Sequence, residues 1–243
     1  MLAAEALVLP GRLRGVALNL RAGEVTAICG PNGAGKSSLL SCLAGLLAPA
    51  SGAVTLDAAS LSGMHPEARA RALGYLPQTP EVAWDVSVTT LAGLGRLPWR
   101  TSAAEDAAAV EAALMALDLP TFADRPVSQL SGGERARALL ARVLAGTPRW
   151  LLADEPLANL DLAHQLALLG HLRACAGQGM GVVLVLHDLA LAMNHADRVV
   201  VLEQGTLAAD GPPELALAEP VLEQVWGVTT RWLGEPGARA LAV

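Results

Sequence analysis

A glycine-rich segment between an apolar run and a helical stretch restricts the possible folds of this sequence more than any other feature does. Residues 30–37 read Gly-Pro-Asn-Gly-Ala-Gly-Lys-Ser and match the pattern GxxxxGK(S/T). Residues 24–29 before the segment predict a short buried strand, and residues 37–47 predict a helix. Glycines in such a turn direct several backbone N–H groups at one anion, and the helix N-terminus adds a favourable dipole. The segment therefore predicts a phosphate-binding loop in an α/β fold.

The lysine of this loop stands out from the rest of the chain. Lys36 is the only lysine, whereas the other 16 basic residues are arginines. A compact ammonium suits phosphate contact, so we expect Lys36 to reach the β- and γ-phosphates and the Ser37 hydroxyl to bind Mg²⁺. The alternative, a glycine turn that holds a lysine by chance, does not explain the strand and helix on either side. The residues predicted to contact the nucleotide here are Pro31, Asn32, Gly33, Ala34, Gly35, Lys36, Ser37 and Ser38.

Apolar runs later in the chain alternate with helical patterns. The runs at residues 150–153, 181–186 and 198–202 have the length of buried strands, and stretches 162–176 and 189–195 have helical character. This alternation predicts a parallel sheet that is covered by helices.

The middle of the chain lacks strand signals and carries alanine-rich helical patterns instead, notably at residues 103–117 and 134–144. We interpret this region as a helical subdomain that is inserted into the α/β core. A length of 243 residues fits one domain with an attached subdomain. The core is expected at about residues 1–85 and 147–243, and the helical subdomain at about 86–146.

Composition excludes several classes of protein. With 53% hydrophobic and 16% charged residues, the chain can form a core and does not resemble a disordered protein. A net charge of -6 opposes nucleic acid as a main partner. The apolar runs are far shorter than the ~20 residues that span a bilayer. Three cysteines without a CxxC spacing, and an N-terminus without a signal-peptide pattern, favour a reducing cytosol.

Two adjacent acids end the second predicted strand. Asp154 and Glu155 follow the apolar run that begins at Trp150. Carboxylates at the C-terminal edge of a parallel strand lie where open α/β sheets bind ligands. Asp154 is expected to bind Mg²⁺ through its water shell, and Glu155 to polarise the water that attacks the γ-phosphate. Such a pair is also common at an ordinary loop start. It indicates a catalytic site only because the chain also carries the phosphate loop.

A second glycine motif precedes the helical stretch near residue 134. Residues 130–134 read Leu-Ser-Gly-Gly-Glu, so Ser131 is a plausible N-cap and the glycines leave backbone donors exposed at a positive helix end. The motif thus predicts a second anion site. The spacing from Ser131 to Glu134 is also that of a common capping box, which needs no ligand.

The order of these motifs resembles the ATP-binding subunits of ABC transporters over essentially the whole chain. The resemblance lies in the phosphate loop, Gln78, residues 130–134, the acids at 154 and 155, residues 158–161, and His187. It implies a phosphate-loop NTPase core with a parallel sheet covered by helices, a small N-terminal antiparallel β part and an inserted α-helical subdomain. It also implies that the chain hydrolyses ATP and uses Mg²⁺.

Further site residues are implied by this resemblance. Gln78 matches the glutamine that touches Mg²⁺ or the attacking water, and His187 matches the switch histidine near the γ-phosphate. Residues 158–161, Ala-Asn-Leu-Asp, match the D-loop that crosses the dimer interface. The implied catalytic residues are Glu155, His187 and Gln78, and the implied metal ligands are Ser37, Gln78 and Asp154. Ser131, Gly132, Gly133, Glu134 and Asp161 are implied nucleotide contacts. The other histidines lack metal-ligand spacing and are expected to be structural or exposed, namely His65, His164, His171 and His195.

The resemblance also implies partners. In this family two subunits pair head to tail, with ATP between the phosphate loop of one and the 130–134 signature of the other. An integral membrane permease docks on the helical subdomain, and a periplasmic binding protein supplies it. The expected location is the cytoplasmic face of the inner membrane, as a peripheral protein.

The most similar members import iron–siderophore, haem or cobalamin, which suggests a metal-chelate importer. A soluble ATPase of the same family with a non-transport role, such as iron–sulfur cluster assembly, is the main alternative. A different phosphate-loop enzyme, such as a small kinase or GTPase, would leave the 130–134 motif unexplained.

This chain departs from the family at the adenine site. Most relatives carry an aromatic residue before the phosphate loop, whereas this chain has none before Tyr75. We expect adenine to rest on aliphatic residues or on a guanidinium, with Arg12 and Arg14 as the candidates.

Overall fold

A computed structural model describes residues 1–79, 82, 85–158 and 160–243. Its strands are β1 Leu2–Leu9, β2 Leu13–Leu20, β3 Val25–Cys29, β4 Ser51–Leu56, β5 Ala59–Ser60, β6 Leu73–Leu76, β7 Trp150–Asp154, β8 Gly181–Val185, β9 Arg198–Glu203, β10 Thr206–Gly211, β11 Arg231–Leu233 and β12 Ala240–Ala242. Its helices are α1 Lys36–Leu43, α2 Pro66–Ala72, α3 Val88–Gly93, α4 Ala103–Ala116, α5 Gly132–Ala145, α6 Leu162–Gly177, α7 Leu189–His195, α8 Pro213–Ala216 and α9 Glu219–Trp226.

The main sheet has the strand order β10-β9-β3-β8-β7-β6. Strands β9, β3, β8, β7 and β6 run parallel, and β10 adds an antiparallel edge through a hairpin with β9. Every residue of β3, β7 and β8 is buried, because continuous Val, Leu and Ile runs are covered on both faces. The parallel sheet expected from the alternating pattern is confirmed.

A second sheet, of order β2-β1-β4-β5, is antiparallel throughout. Alternate residues of β2 are buried and exposed over most of its length, as in a sheet with one solvent face. Its apolar face joins α1 and the main sheet in one core cluster that includes Leu2, Leu18 and Leu39. This sheet confirms the small N-terminal antiparallel part.

Among the described residues, three α-helices follow β6 and precede its sheet neighbour β7. Helices α3, α4 and α5 pack on one another, and Leu91, Leu114 and Leu140 are among the residues buried between them. The C-terminal end of α5 reaches the main sheet, where Val143 lies against Gly74 of β6. The inserted helical part is therefore present, joined to the sheet on one side.

Polar and aromatic contacts also link this helical region to the core. Arg71 of α2 donates from Nε to the Pro98 carbonyl at 2.8 Å. The guanidinium carbons of Arg71 and Arg96 lie 5.2 Å and 4.7 Å from the Trp99 ring centroid. Trp99 itself donates from Nε1 to the Gly146 carbonyl at 3.0 Å. Trp99 thus contacts one arginine of the core, Arg71, and one arginine of the helical region, Arg96.

Helix α1 is shorter than the sequence pattern indicates. It ends at Leu43, whereas the apolar residues continue to Leu47. Gly45 adopts a φ of 68°, which stops the helix because that conformation belongs to the left-handed region. Among the described residues, no helix is both long and apolar enough to cross a membrane.

Candidate active site

The phosphate loop lies between β3 and α1, and a close backbone approach shapes it. Gly35 has a φ of 100°, and a Cβ atom placed on it would lie 2.6 Å from the Arg12 carbonyl oxygen. Only glycine fits both the conformation and the space. Gly205 donates its backbone N–H to the Ala34 carbonyl at 3.0 Å. The loop is therefore held by the turn between β1 and β2 and by the β9–β10 hairpin.

Lys36 is buried at the start of α1. Its Nζ donates to the Gly30 carbonyl at 2.8 Å and to the Pro31 carbonyl at 3.0 Å. Burial lowers the pKa of Lys36, and the charges of Glu155, Cys29 and Asp154 oppose that shift. The ammonium is thus anchored to the carbonyls of its own loop, within reach of an anion held there.

Ser37 and Asp154 bring two oxygen ligands together beside the loop. Ser37 donates from Oγ to Asp154 Oδ1 at 3.1 Å, although 117 positions separate the two residues. Asp154 ends β7 and is almost fully buried. Burial raises the pKa of Asp154, and the Ser37 hydrogen bond opposes that shift.

Glu155 forms the centre of a three-residue cluster. Gln78 donates from Nε2 to Glu155 Oε2 at 2.6 Å, and His187 Nε2 lies 2.5 Å from Glu155 Oε1. The three residues follow the C-terminal ends of β6, β7 and β8, which are neighbours in the sheet. Glu155 has a φ of 49°, a strained conformation for a residue with a side chain. The structure therefore brings together the three residues that sequence analysis implied as catalytic.

The 130–134 segment forms the N-terminus of α5. Ser131 is the N-cap and accepts from the Glu134 backbone N–H, while Glu134 Oε2 accepts from the Ser131 backbone N–H at 2.8 Å. The capping-box geometry is thus present, and the Ser131 and Gly132 residues remain exposed. In the described residues, no hydrogen bond joins this segment to the phosphate loop of the same chain. Gly132 instead lines a cleft of about 320 Å³ together with Gln78 and Glu155.

The residues implied as the D-loop lead into α6. Asp161 is the N-cap of this helix and accepts from the His164 backbone N–H at 2.9 Å. Ala158 is exposed, Leu160 is half-buried, and Asn159 lies outside the described residues. The ring of His164, which sequence analysis treated as structural or exposed, also contacts Asp161. Its position three residues after an N-cap acid was the signal that could have singled it out.

Arg12 and Arg14 are exposed residues, and their main chains lie near the phosphate loop. Arg14 donates its backbone N–H to the Gly205 carbonyl at 2.8 Å, and Gly205 in turn bonds to Ala34 of the loop. The main chain of Arg12 lies against Gly35. The structure therefore places both candidate adenine contacts next to the loop.

A family model described as ABC transporter matches residues 13–158. The chain belongs to this family, as an ATP-binding subunit. The hemin import ATP-binding protein HmuV of Rhodococcus jostii (strain RHA1) is 45% identical to this ABC subunit over 230 residues, which cover 94% of the subunit and 79% of the relative.

Solved structures of ABC proteins share the fold of this subunit. The cbiO1 structure from Clostridium perfringens, part of the ABC transporter complex cbiONQ, matches with a TM-score of 0.82 at 28% identity and covers 92% of each chain. The dimeric ATP-binding cassette MJ0796 bound to ADP and Pi matches with a TM-score of 0.77 at 26% identity, covering 88% of the subunit and 99% of that chain. ATP-binding subunits of ABC transporters dimerise and pair with permease subunits.

Proposed function

We propose that this ABC subunit hydrolyses ATP to power the import of hemin or a closely related metal chelate. The observation that carries the proposal is the 45% identity to the hemin import protein of Rhodococcus jostii over nearly the whole chain. That relative is named for hemin import, so the cobalamin member of the predicted metal-chelate class gains no support from it.

Glu155 is proposed to accept a proton from the attacking water. Its carboxylate is oriented by Gln78 and His187, so the oxygen atoms are fixed before nucleotide arrives. Gln78 is proposed to hold the water, and His187 to contact the γ-phosphate. Positioned residues of this kind suit phosphoryl transfer, in which orientation and charge stabilisation do most of the catalysis.

The residues present fit Mg²⁺. Ser37 Oγ and Asp154 Oδ1 lie 3.1 Å apart, and both are the hard oxygen donors that Mg²⁺ prefers. The Gln78 amide nitrogen donates to Glu155, and within the described residues no hydrogen bond occupies its oxygen, which is the third proposed ligand or a contact to bound water. Mg²⁺, when bound with ATP, would neutralise charge on the β- and γ-phosphates.

The phosphate loop is proposed to bind ATP through residues 31–38, with Lys36 on the terminal phosphates. The second half of the site is proposed to come from a second copy of the chain. Ser131, Gly132, Gly133 and Glu134 of that copy would contact the γ-phosphate, and its Asp161 would lie beside the same nucleotide. The exposed helix N-terminus at Ser131 and Gly132 supports this proposal, because the dipole and the first-turn glycine N–H groups, which the capping box does not use, suit an anion.

When two copies close on ATP, their movement would do mechanical work on a membrane partner. We propose that residues 86–146 form the subdomain that docks on an integral permease, while residues 1–85 and 147–243 form the nucleotide-binding core. The subunit would then lie at the cytoplasmic face of the membrane, and a periplasmic binding protein would act only through the permease.

Co-purification with the permease tests this function. We expect the tagged subunit to co-purify with an integral membrane protein and its ATPase activity to rise when that protein is reconstituted with it. In reconstituted vesicles, ATP-dependent accumulation of hemin is expected, with the Glu155→Gln subunit as the inactive control. An active ATPase that co-purifies only with soluble proteins and moves no hemin would favour the iron–sulfur assembly role instead.

A further inference from the structure

His164 connects two segments that the dimer proposal assigns to the partner's nucleotide. Its ring Nδ1 lies 2.7 Å from Asp161 Oδ1, the same oxygen that accepts the His164 backbone N–H at 2.9 Å. Asp161 caps α6, and His164 is the third residue of that helix. One edge of the imidazole is therefore fixed to the end of the D-loop.

The opposite edge of the ring lies on residues 130–134, called here the signature segment. A Cβ atom placed on Gly133 would lie 1.9 Å from His164 Cδ2 and 2.4 Å from His164 Cγ. Gly133 is buried beneath the ring, whereas its neighbours Ser131 and Gly132 are exposed. The need for glycine at position 133 therefore already arises within one subunit. A single side chain touches the first turns of both α5 and α6.

We propose that His164 is a positioning residue that fixes the spacing between the signature segment and the D-loop of one subunit. The inference rests on the proposed function, in which both segments act on the nucleotide held by the partner. The ring has only two rotatable bonds and contacts both segments, so it makes them move as one rigid unit. A displacement of about 1 Å in such a unit is enough to reduce catalysis strongly.

The His164 ring contacts Asp161 on one edge and Gly133 on the other, so separate variants can remove each contact. His164→Asn keeps a nitrogen donor near the position of Nδ1 and loses the edge that lies on Gly133. His164→Gln reaches toward Gly133 and loses the Nδ1 donor. His164→Ala removes both contacts. His171→Ala is the matched control, because His171 lies two turns later on α6 and its Nε2 is 3.7 Å from Asp118, away from both segments.

Steady-state ATPase kinetics of the full-length chain test the proposal. We expect His164→Ala to lower kcat about tenfold while KM and the ATP affinity of the single subunit stay within about twofold. The Asn and Gln variants are each expected to recover part of kcat, and neither is expected to reach the wild-type value. The His171→Ala control is expected to match wild type.

A wild-type kcat in His164→Ala would overturn the inference. Full recovery in His164→Asn would also overturn it, because the ring would then act only as a cap for α6. An equal loss of kcat and of single-subunit ATP affinity would likewise overturn it, because that pattern indicates a general structural defect.

ATP-driven dimerisation in a Glu155→Gln background separates this inference from the proposed function. If the Glu155→Gln parent forms no dimer with ATP, the shared-site function itself fails. If the parent dimerises and the added His164→Ala change weakens dimerisation severalfold, the result supports both the shared-site function and the role of His164. If dimerisation and kcat are both unchanged by His164→Ala, the inference alone fails.

Discussion

At the scale of single residues, Glu155 has the clearest role to test. Glu155→Gln preserves the size of the side chain and removes the base, so turnover is expected to fall at least about 100-fold. The ATP affinity of the single subunit should change little, because Glu155 is held by Gln78 and His187 and not by the phosphate loop. Turnover and nucleotide binding are measured separately, with the exposed Glu111→Gln as control. Turnover near wild type would remove Glu155 from the role of base.

Arg12 and Arg14 are the residues on which the adenine proposal depends. If a guanidinium stacks on the base, Arg12→Ala or Arg14→Ala should weaken ATP binding about two- to fivefold, the usual size of an exposed cation–π contact. Inorganic triphosphate should bind as before, because the phosphate loop is untouched. Arg21→Ala, at an exposed position beyond β2, is the control. Unchanged ATP affinity in both variants would show that adenine packs on aliphatic residues instead.

Asp154 illustrates how a buried charge lowers stability. Burial raises the pKa of Asp154, so the folded chain holds a proton to higher pH than the unfolded chain does. The contribution of Asp154 to the free energy of unfolding therefore falls as the pH rises through its folded-state pKa. Asp154→Asn keeps an oxygen that accepts from Ser37 and removes the charge. We expect the nucleotide-free variant to be more stable than wild type at neutral pH.

Thermal denaturation across pH checks this expectation. The Tm of Asp154→Asn should exceed the wild-type Tm by a few degrees at pH 7, and the difference should shrink below about pH 4, where the unfolded carboxyl also binds its proton. Glu5→Gln, at an exposed position of β1, should show no such gain. A lower Tm for Asp154→Asn at pH 7 would contradict the argument.

At the scale of secondary structure elements, Arg96 holds the helical region together. This buried side chain donates to the Ala145 carbonyl at 3.1 Å and to Asp106 at 2.8 Å, and it lies against the Trp99 ring. Arg96→Ala leaves a buried carbonyl without its donor, so we expect a loss of about 2 kcal/mol in the free energy of unfolding. For a chain of this size that loss corresponds to a Tm decrease of about 4–8 °C.

The matched control for Arg96 is Arg100→Ala. Arg100 is exposed and pairs with Glu67 at 3.1 Å on the surface, where ion pairs contribute little. Denaturant unfolding should show a large difference between the two variants. Similar losses in both would mean that the contacts of Arg96 do not stabilise the helical region specifically.

Elements with a strong pattern were predictable from sequence. Strands β3, β7, β8 and β9 lie within one or two residues of their predicted bounds, because a continuous apolar run can only be buried on both faces. The end of α1 was not predictable in the same way. The apolar residues continue past Leu43, and only the left-handed conformation of Gly45 ends the helix.

Side-chain contacts across elements were predictable only through motif order. Sequence order suggests that Glu155 and His187 share a site, yet only the adjacency of β7 and β8 shows that their side chains meet. The His164 contact with Gly133 has no sequence signal at all. It arises because α5 and α6 bring their N-termini together, a result of packing rather than of local pattern.

At the scale of the whole molecule, the shared-site proposal predicts complementation between two inactive variants. Lys36→Ala removes the phosphate-loop cation, and Ser131→Arg blocks the signature segment, so neither variant alone can build a complete site. A mixed pair would contain one complete site, made from the loop of the Ser131→Arg chain and the signature of the Lys36→Ala chain. An equal mixture should recover about a quarter of wild-type ATPase activity if pairs form at random.

Activity of the mixture against protein concentration completes this test. Each variant alone, which can form only pairs of identical chains, is the control and should stay inactive at every concentration. The mixture should gain specific activity as the concentration rises, because pairing precedes turnover. A mixture as inactive as its components would place both halves of the site in one chain.

The single buried lysine has a practical consequence for chemistry on this molecule. Since the other 16 residues of the lysine and arginine set are arginines, the surface offers acylating reagents no lysine amine, and the buried Lys36 lies within the proposed nucleotide site. Apart from the α-amino group, Lys36 carries the one amine of the sequence that an ester or anhydride label can convert to a stable amide. Intact mass after brief acylation, with and without nucleotide, therefore counts the fraction of molecules whose loop is filled.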